Sequence, residues 1–317
     1  MNVPVLFLIF NRPDTTKKVF DAISSSRPPR LYVAADGPRR DRISERDLCE
    51  QARSIATNVD WACEVKIMFR EENLGCRRAV SSAIDWFFEN EEEGIILEDD
   101  CLPHPTWFRF AEELLERFRD DERIMCISAQ HFHGKNHVPN ASYFFSRYNH
   151  CWGWASWRRA WAHYDHNMVL WPEWRSSEWL LDVGRGSKCF KDYWTQIFDR
   201  VHKSEIDTWD YQWTFSCWAQ GGLTILPSCN LVRNIGFGQE ATHTKSANSR
   251  MELPLEGMVF PLTHPQKVIR DSKADEWTDK NVFGISNYNY FKQKLKAFRI
   301  VRAVMPAVRM ARDIIKH

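Results

Sequence analysis

The amino-acid sequence predicts an α/β fold built on a mostly parallel sheet flanked by helices. In the first 130 residues, short segments rich in β-branched and apolar residues alternate with longer segments whose apolar residues recur at helical spacing. Strands that alternate with helices of this length predict parallel strands joined by right-handed crossovers. The chain has 317 residues, enough for one large α/β domain or two smaller ones.

The predicted strands of the first half are short and mostly apolar. They are Val3 to Phe10, Leu31 to Ala35, Glu64 to Phe69, Ile95 to Leu97 and Ile124 to Ser128. The helices predicted between them are Asp14 to Ser25, Ile43 to Asn58, Leu74 to Asn90 and Pro105 to Arg119. Proline is favoured at the first helical position, which supports a helix start at Pro105.

Tryptophan is concentrated in the second half of the chain. Eleven of the fifteen tryptophans fall between Trp152 and Trp218. Most are expected in the core, because large aromatic side chains are usually buried. Sugars also present flat apolar faces that stack on indole rings, and we therefore select Trp152, Trp154 and Trp209 as candidate ligand contacts.

The charge is unevenly distributed along the chain. Lysine and arginine total 43 against 42 acidic residues, which excludes the overall basic field of a nucleic-acid-binding protein. Residues 291–317 nevertheless carry a net charge of +7, leaving about −6 for residues 1 to 290. This basic tail predicts an amphipathic helix that either contacts an anionic membrane surface or packs on the body of the protein.

The remaining composition favours a cytoplasmic protein, with the tail as a candidate contact at the inner face of the membrane. The apolar run Val3 to Phe10 is too short for a signal sequence, and no uncharged stretch reaches the length of a transmembrane helix. Nine dispersed cysteines without a CxxC pair predict reduced thiols instead of disulfides or a zinc site.

Three consecutive acids, Glu98, Asp99 and Asp100, follow the apolar strand Ile95 to Leu97. The ends of such strands are where α/β proteins bind ligands. Adjacent carboxylates repel one another, and a divalent cation such as Mn²⁺ or Mg²⁺ can neutralise them through oxygen ligands. A solvated turn that caps the next helix is the alternative interpretation.

Polar residues also follow the other predicted strands, at Asn11, Arg12, Asp36 and Asn73. Asp36 is suited to accept the imide N–H of uracil, and Arg12 is suited to a base or a phosphate. Turns favour Asp and Asn in any case, so it is the series at successive strand ends that predicts a nucleotide site.

A further acid, Asp210, lies in the first turn of a helix predicted to begin with Asp207 or Thr208 as its N-cap. The helix dipole stabilises a charged carboxylate there. The flanking aromatic residues Trp209 and Tyr211 act oppositely by desolvation, which would suit Asp210 to general-base catalysis. The sequence leaves both interpretations open.

The segment from Arg233 to Thr244 contains two glycines followed by Thr242 and His243. It predicts a loop whose hydroxyl and imidazole groups could reach a diphosphate or its metal. An ordinary surface loop is the alternative.

In their order along the chain, these stretches resemble those of GT-A (Rossmann-like) nucleotide-diphospho-sugar transferases. The likeness is to the inverting β-linking N-acetylglucosaminyltransferases of glycan processing and to related bacterial glycosyltransferases. It spans about residues 5 to 245 and is carried by the following stretches: Ile95 to Asp100 with the helix after it, Ile127-Ser128-Ala129, Trp152-Gly153-Trp154, Trp209-Asp210, and Phe237-Gly238 to His243.

The resemblance implies a role for each candidate residue. Asp100 would bind Mn²⁺, Asp99 would contact the ribose or the metal shell, and Glu98 would contact the donor sugar. Asp210 would be the general base, and the segment ending in Thr242 and His243 would close over the donor.

The resemblance implies a metal-dependent inverting transfer of a hexosyl or N-acetylhexosaminyl group from a UDP-sugar to a glycan or lipid-linked glycan hydroxyl. Residues 1–130 would form the nucleotide-sugar-binding half, 131–290 the acceptor-binding half of the same domain, and 291–317 the tail. A sugar nucleotidyltransferase is a weaker alternative, because Asn11-Arg12-Pro13 stands where it needs a glycine-rich loop. A non-catalytic carbohydrate-binding protein would explain the tryptophans but not the polar strand ends.

Overall fold

The computed structural model describes residues 1–42, 44–137, 139–236 and 253–286. The predicted positions of Thr242, His243 and the basic tail lie outside the described residues and stay predictions.

The described residues form ten strands and ten α-helices. The strands are β1 (Val5–Ile9), β2 (Arg30–Ala35), β3 (Glu64–Phe69), β4 (Glu93–Glu98), β5 (Cys101–Pro103), β6 (Ile124–Ser128), β7 (Tyr143–Ser146), β8 (Trp154–Trp157), β9 (Leu223–Pro227) and β10 (Val232–Asn234). The helices are α1 (Pro13–Ser26), α2 (Glu45–Thr57), α3 (Cys76–Asn90), α4 (Thr106–Arg117), α5 (Arg158–Trp161), α6 (Trp171–Trp174), α7 (Trp179–Val183), α8 (Lys188–His202), α9 (Asp210–Ala219) and α10 (Ser272–Asn281).

Eight strands form one sheet in the order β3-β2-β1-β4-β8-β6-β9-β7. The pairs β3–β2, β2–β1, β1–β4 and β6–β9 are parallel, whereas β8 is antiparallel to both of its neighbours and β7 is antiparallel to β9. A separate two-stranded sheet joins β5 and β10. The predicted α/β class with a mostly parallel sheet is confirmed, and the antiparallel strand β8 is an addition that the sequence pattern did not predict.

The centre of the sheet is apolar because its strands are covered on both faces. Every residue of β1 is buried, as are Gly94 to Leu97 of β4. Helix α3 packs on this region through Phe87, whose ring meets that of Tyr32 edge-on at 5.0 Å. The packing of this buried centre holds β1 and β4 in place, and with them the polar residues that follow each strand.

The second half has a core built largely from indole rings. Trp154 stacks on Trp209 with ring centroids 5.6 Å apart, and it also packs against Trp161 and Trp213. The ring of Trp194 meets that of Trp218 edge-on at 4.7 Å. Most of the tryptophan concentration is therefore packing, as expected.

Helix α10 is held to the end of β7 by buried ion pairs. Arg147 donates to Asp279 at 2.5 Å, and Asp275, which is 1% exposed, accepts from Ser146 at 2.5 Å. Arg270 also pairs with Asp275. These contacts join residues 270–281 to the main sheet.

Two further observations concern the cysteines and the helices. All nine cysteines are free thiols. Within the described ranges, no helix has the length and apolar character needed to cross a membrane.

Candidate active site

Strand register brings the polar strand ends together at one edge of the sheet. Leu8 of β1 pairs with Glu98 of β4, and Ile9 pairs with Ala35 of β2. The residues that follow these strands surround a cavity of about 380 Å³. Its apolar lining is formed by Leu8, Ile9, Ala34, Ala35, Ala79 and Val80.

Charged side chains form the rest of the cavity wall. The acids are Asp36, Glu98, Asp99, Asp100 and Asp207, and the cations are Arg12, Arg39 and Arg70. Arg39 is already paired with Glu45, and Arg12 with two of the acids. The wall therefore carries a surplus of negative charge.

Arg12 bridges two acids of the predicted triplet. Its Nη2 lies 2.9 Å from Asp99 Oδ1, and its Nη1 lies 2.8 Å from Asp100 Oδ2. Asp99 is 2% exposed and also accepts from the backbone N–H of Phe10 at 3.0 Å. Burial raises the pKa of Asp99 to about 6, although the charge of Arg12 opposes that shift.

Glu98 is half-buried. Within the described part of the chain it forms no ion pair, whereas Asp99 and Asp100 each pair with Arg12. Burial and repulsion from Asp100 and Asp99 raise the pKa of Glu98 to about 8. The charge of Asp210 adds to this repulsion, so Glu98 and Asp210 lie within electrostatic reach of each other.

The segment after β10 covers the Arg12–Asp100 pair. The backbone N–H of Ile235 donates to the carbonyl of Asp100 at 2.7 Å. A Cβ atom added to Gly236 would lie 2.6 Å from Arg12 Nη1, which is closer than real Cβ contacts allow. A side chain at position 236 would therefore displace Arg12 or Asp100 from the ion pair.

The acid triplet fits a divalent cation only in part. No group of three His, Cys, Asp or Glu residues in the described ranges is arranged to hold a metal by itself. With Glu98 protonated at neutral pH, as its pKa of about 8 implies, Asp99, Asp100 and Arg12 leave a net charge of −1, and full ionisation of the triplet gives −2. Asp100 and Glu98 both face the cavity, and magnesium-type sites often use one or two carboxylates together with phosphate oxygens. The residues thus suit an ion that binds together with an anionic ligand.

Asp99 is poorly placed for its predicted role as a metal ligand. One of its oxygens accepts from Arg12 and the other from Phe10, so both are already engaged by the protein. Its contacts instead tie the end of β4 to the end of β1.

Asp36 and Asn73 organise the loop between β3 and α3. The Asp36 carboxylate accepts from Gly37 N at 2.9 Å, Asn73 Nδ2 at 3.0 Å, Leu74 N at 3.0 Å and Gly75 N at 3.2 Å. A carboxylate offers about four lone-pair sites, and these contacts fill them. The uracil contact through Asp36, which lines the cavity, stays a prediction, although these contacts already engage both of its oxygens, and Asn73 acts mainly as a partner of Asp36.

Asn11 is displaced from the site as well. Its side-chain amide donates to Glu45 at 2.8 Å, and it does not line the cavity. Glu45 is 3% exposed and also binds Arg39. Asn11 therefore helps to anchor the start of α2, and the predicted donor contact is not supported.

Asp210 occupies the first position of α9, as predicted. Its Oδ1 accepts from the Thr208 hydroxyl and from Tyr211 N at 3.0 Å. No hydrogen bond within the described part of the chain reaches Oδ2. The carboxylate is thus held by one oxygen while the other is available.

Asp207, predicted as an N-cap of that helix, caps a different one. Helix α9 has Trp209 at its N-cap position and no side-chain cap. The Asp207 carboxylate accepts instead from Cys76 N and Arg77 N at the start of α3. A local pattern cannot reveal this, because the partners are 130 residues apart.

The three candidate tryptophans separate into two groups. Trp152 lines the cavity. Trp154 is 1% exposed and Trp209 is 3% exposed, so neither ring has a free face for a ligand. The predicted acceptor contacts through Trp154 and Trp209 are therefore wrong, because aromatic packing buries both rings.

The cavity residues that the sequence prediction did not select as ligand contacts include Arg39, Arg70, Asp207 and Asn234. Arg70 follows β3 directly, so the rule applied to the other strand ends would have found it. Asn234 lies on β10, whose pairing with β5 has no local sequence signal.

No protein-family model matches the sequence, and no curated protein matches it either. Among the solved structures that resemble parts of the chain are the following three. HddC from Yersinia pseudotuberculosis is 11% identical with a TM-score of 0.27, over 39% of this chain and 56% of that one. A UDP-glucose pyrophosphorylase complexed with UDP-glucose is 10% identical with a TM-score of 0.25, over 40% and 56%.

Mouse xyloside xylosyltransferase 1, in its apo form, is 11% identical with a TM-score of 0.32, over 68% of this chain and 81% of that one. The chain thus spans only about half the length of the first two structures. Similarities of this size do not indicate an activity.

Proposed function

We propose that the chain is a glycosyltransferase that moves a sugar from a nucleoside-diphosphate donor to a hydroxyl acceptor. The observation that carries the proposal is the position of Asp210. It presents one unengaged carboxylate oxygen, and its charge acts on Glu98, which lines the apolar and acid-walled cavity at the carboxyl edge of a parallel sheet. Asp210 itself does not line the cavity, but it follows the lining residue Asp207 by three positions. Such edges are the usual ligand sites of α/β proteins.

The cavity suits the nucleotide part of such a donor. Its volume of about 380 Å³ and its alanine-rich lining suit a planar base, and Arg12 and Arg70 supply positive charge. The surplus of carboxylates would repel a diphosphate on its own. We therefore infer that the donor binds with Mn²⁺ or Mg²⁺, held by Asp100 with Glu98 nearby.

The reaction follows from the placement of Asp210. Its Oδ2 would remove the acceptor proton as the hydroxyl oxygen attacks the anomeric carbon and the bond to the diphosphate breaks. Thr208 and Tyr211 hold Oδ1 and so orient the carboxylate. A single displacement of this kind inverts the anomeric configuration. A bound divalent cation would supply Lewis-acid stabilisation of the departing diphosphate.

Uracil as the base, a hexose or N-acetylhexosamine as the sugar, and a glycan or lipid-linked glycan as the acceptor are the finer parts of the proposal. They rest on the sequence resemblance. Contact of residues 291–317 with an anionic membrane surface likewise remains a proposal.

Donor binding is tested by thermal denaturation with UDP and a panel of UDP-sugars, each with Mn²⁺ or with excess chelator. A ligand that binds only the folded state raises the melting temperature. We expect stabilisation by a UDP-sugar that requires Mn²⁺. Equal stabilisation in chelator would remove the metal from the proposal.

Catalysis is tested with Asp210→Asn, which keeps the size of the side chain but removes the base. We expect transfer to be lost while metal-dependent donor binding remains. The matched control is Asp14→Asn, at an exposed aspartate in the first turn of α1. Transfer by Asp210→Asn at the wild-type rate would exclude Asp210 as the base.

A further inference from the structure

Asp207 links the two halves of the site through the start of α3. Its Oδ2 accepts from Cys76 N at 3.0 Å, and its Oδ1 accepts from Arg77 N at 3.1 Å. The N-cap residue of α3 is Gly75, which has no side chain to cap the helix. Asp207 therefore satisfies N–H groups that the first turn of a helix leaves without intrahelical partners.

A second set of contacts runs in the opposite direction. The guanidinium of Arg77, which is 9% exposed, donates to the Ser204 hydroxyl at 3.1 Å and to the carbonyl of His166. We call Gly75, Cys76, Arg77, Ser204 and Asp207 the α3–α9 clasp. It holds the segment before α9 against α3 from both sides.

The clasp leaves no room for a side chain at position 75. Gly75 has a φ of +79°, and an added Cβ would lie 2.6 Å from Asp207 Oδ2. A substitution there would be strained and would displace the carboxylate. The close approach of the two segments thus depends on residues from both halves of the chain.

The clasp also connects the cavity wall to the segment of chain that carries the proposed base. Gly75, Cys76 and Asp207 all line the cavity. Three residues after Asp207, the chain reaches Asp210 at the first position of α9. The clasp is therefore the direct connection between the α3 side of the cavity and the segment that carries Asp210.

We infer that Asp207 is a positioning residue that fixes Asp210 relative to the bound donor. The inference rests on the proposed function, because it takes Asp210 as the base. Asp207 itself does not take the proton: both of its oxygens are engaged by backbone N–H groups. Loss of the clasp would let the start of α9 move away from the cavity. A displacement of about 1 Å at a reacting group can lower the rate about 100-fold.

A side chain that only caps a helix should affect stability but not kcat. A capping side chain elsewhere in the fold is therefore a control that separates a structural role from a positioning role. Ser187 caps α8 by accepting from Phe190 N at 3.2 Å, and it does not line the cavity. Ser187→Ala should lower stability to an extent similar to Asp207→Ala, because each change removes a side chain that accepts from N–H groups in the first turn of a helix. Only the Asp207 change should lower kcat.

The test measures kcat, donor Kd and melting temperature for wild type, Asp207→Ala, Asp207→Asn, Gly75→Ala, Ser187→Ala and Asp210→Asn. We expect Asp207→Ala and Gly75→Ala to lower kcat about 100-fold, with donor Kd changed by no more than about threefold. Asp207→Asn keeps one acceptor oxygen and should fall between wild type and Asp207→Ala. If Asp207→Ala fails to fold, Asp207→Asn and Gly75→Ala carry the test.

The outcomes separate the inference from the proposed function. Wild-type kcat in the Asp207 and Gly75 variants, together with an inactive Asp210→Asn, would overturn the positioning role and leave the proposed function standing. A loss of donor affinity that accounts for the whole loss of activity would assign Asp207 to donor binding and also overturn the inference. An active Asp210→Asn would overturn the proposed function itself.

Discussion

Arg12 donates to Asp99 and to Asp100 through different nitrogens, at 2.9 and 2.8 Å, and so ties the end of β1 to the end of β4. The two contacts use the fork shape of a guanidinium, which a lysine ammonium cannot reproduce. The Arg12 side chain is 25% exposed and Asp99 only 3%, so solvent screens this cluster weakly.

Replacing Arg12 with methionine should therefore lower the free energy of unfolding by about 2 kcal/mol, because it leaves Asp99 buried without its cation. Arg12→Lys should recover only part of that loss. Urea denaturation at neutral pH measures both. The control is Lys17→Met, which removes an exposed pair with Asp21 and should cost less than about 0.5 kcal/mol. Equal losses for Arg12→Met and Lys17→Met would show that the buried bridge contributes no more than a surface pair.

Glu98→Gln should stabilise the protein when no divalent cation is present. It removes one of three crowded carboxylates, and a gain of about 1 kcal/mol is expected because functional sites often hold destabilising charge. The same variant should weaken Mn²⁺-dependent donor binding. Melting temperatures with and without Mn²⁺ and donor give both results. Glu89→Gln, at an exposed position of α3, is the control and should match wild type. A destabilised Glu98→Gln would mean that the charge of Glu98 supports the fold.

Trp154→Ala should mainly lower stability, whereas Trp152→Ala should mainly weaken ligand binding. Trp154 packs among three other indole rings, so its removal should cost about 4 kcal/mol of unfolding free energy. Trp152→Ala should cost much less stability and should weaken ligand binding, since its side chain lines the cavity. Denaturation and donor titration of both variants measure the difference. Ligand binding lost in a stable Trp154→Ala protein would contradict the assignment of that ring to the core.

His133 should make the protein sensitive to acid. Burial, together with the neighbouring His131 and His137, lowers the pKa of His133 from its ordinary value of 6.5 to about 4, although the hydrogen bond to Ala274 and the charge of Asp271 oppose that shift. Its Nε2 lies 3.0 Å from the carbonyl of Ala274. Between pH 6.5 and 4, the unfolded chain binds more protons at this residue than the folded one. The contribution of His133 to stability is therefore complete above pH 6.5 and is lost as the pH decreases toward 4, by about 3 kcal/mol for a difference of this size.

His133→Gln should flatten this part of the curve, because glutamine does not titrate. Urea denaturation at several pH values between 4 and 7 measures the slope for each protein. His163→Gln, at an exposed position, should keep the wild-type slope. An unchanged slope in His133→Gln would assign the acid sensitivity to other groups.

Local sequence patterns predict the bounds of an element correctly where its structure depends mainly on its own residues. Strands β3 and β6 have the predicted bounds. Strand β6 is fully buried, whereas β3 lies at the edge of the sheet with Val65 and Ile67 exposed. Local patterns were insufficient for side chains whose partners are distant. Asp36 and Asp207 were interpreted as a ligand contact and a local cap, yet each binds backbone N–H groups near the start of α3. Those partners are 38 and 131 residues away, and only the fold brings them together.

The antiparallel strand β8 has a consequence for how the protein can be divided. It lies between β4 and β6 and pairs with both, so strands from the two halves of the chain alternate within one sheet. A fragment ending at residue 130 would contain β6 without either of its partners, β8 and β9. We therefore expect that residues 1–130 do not fold when expressed alone. The two halves of the chain should fold and unfold as a single cooperative unit.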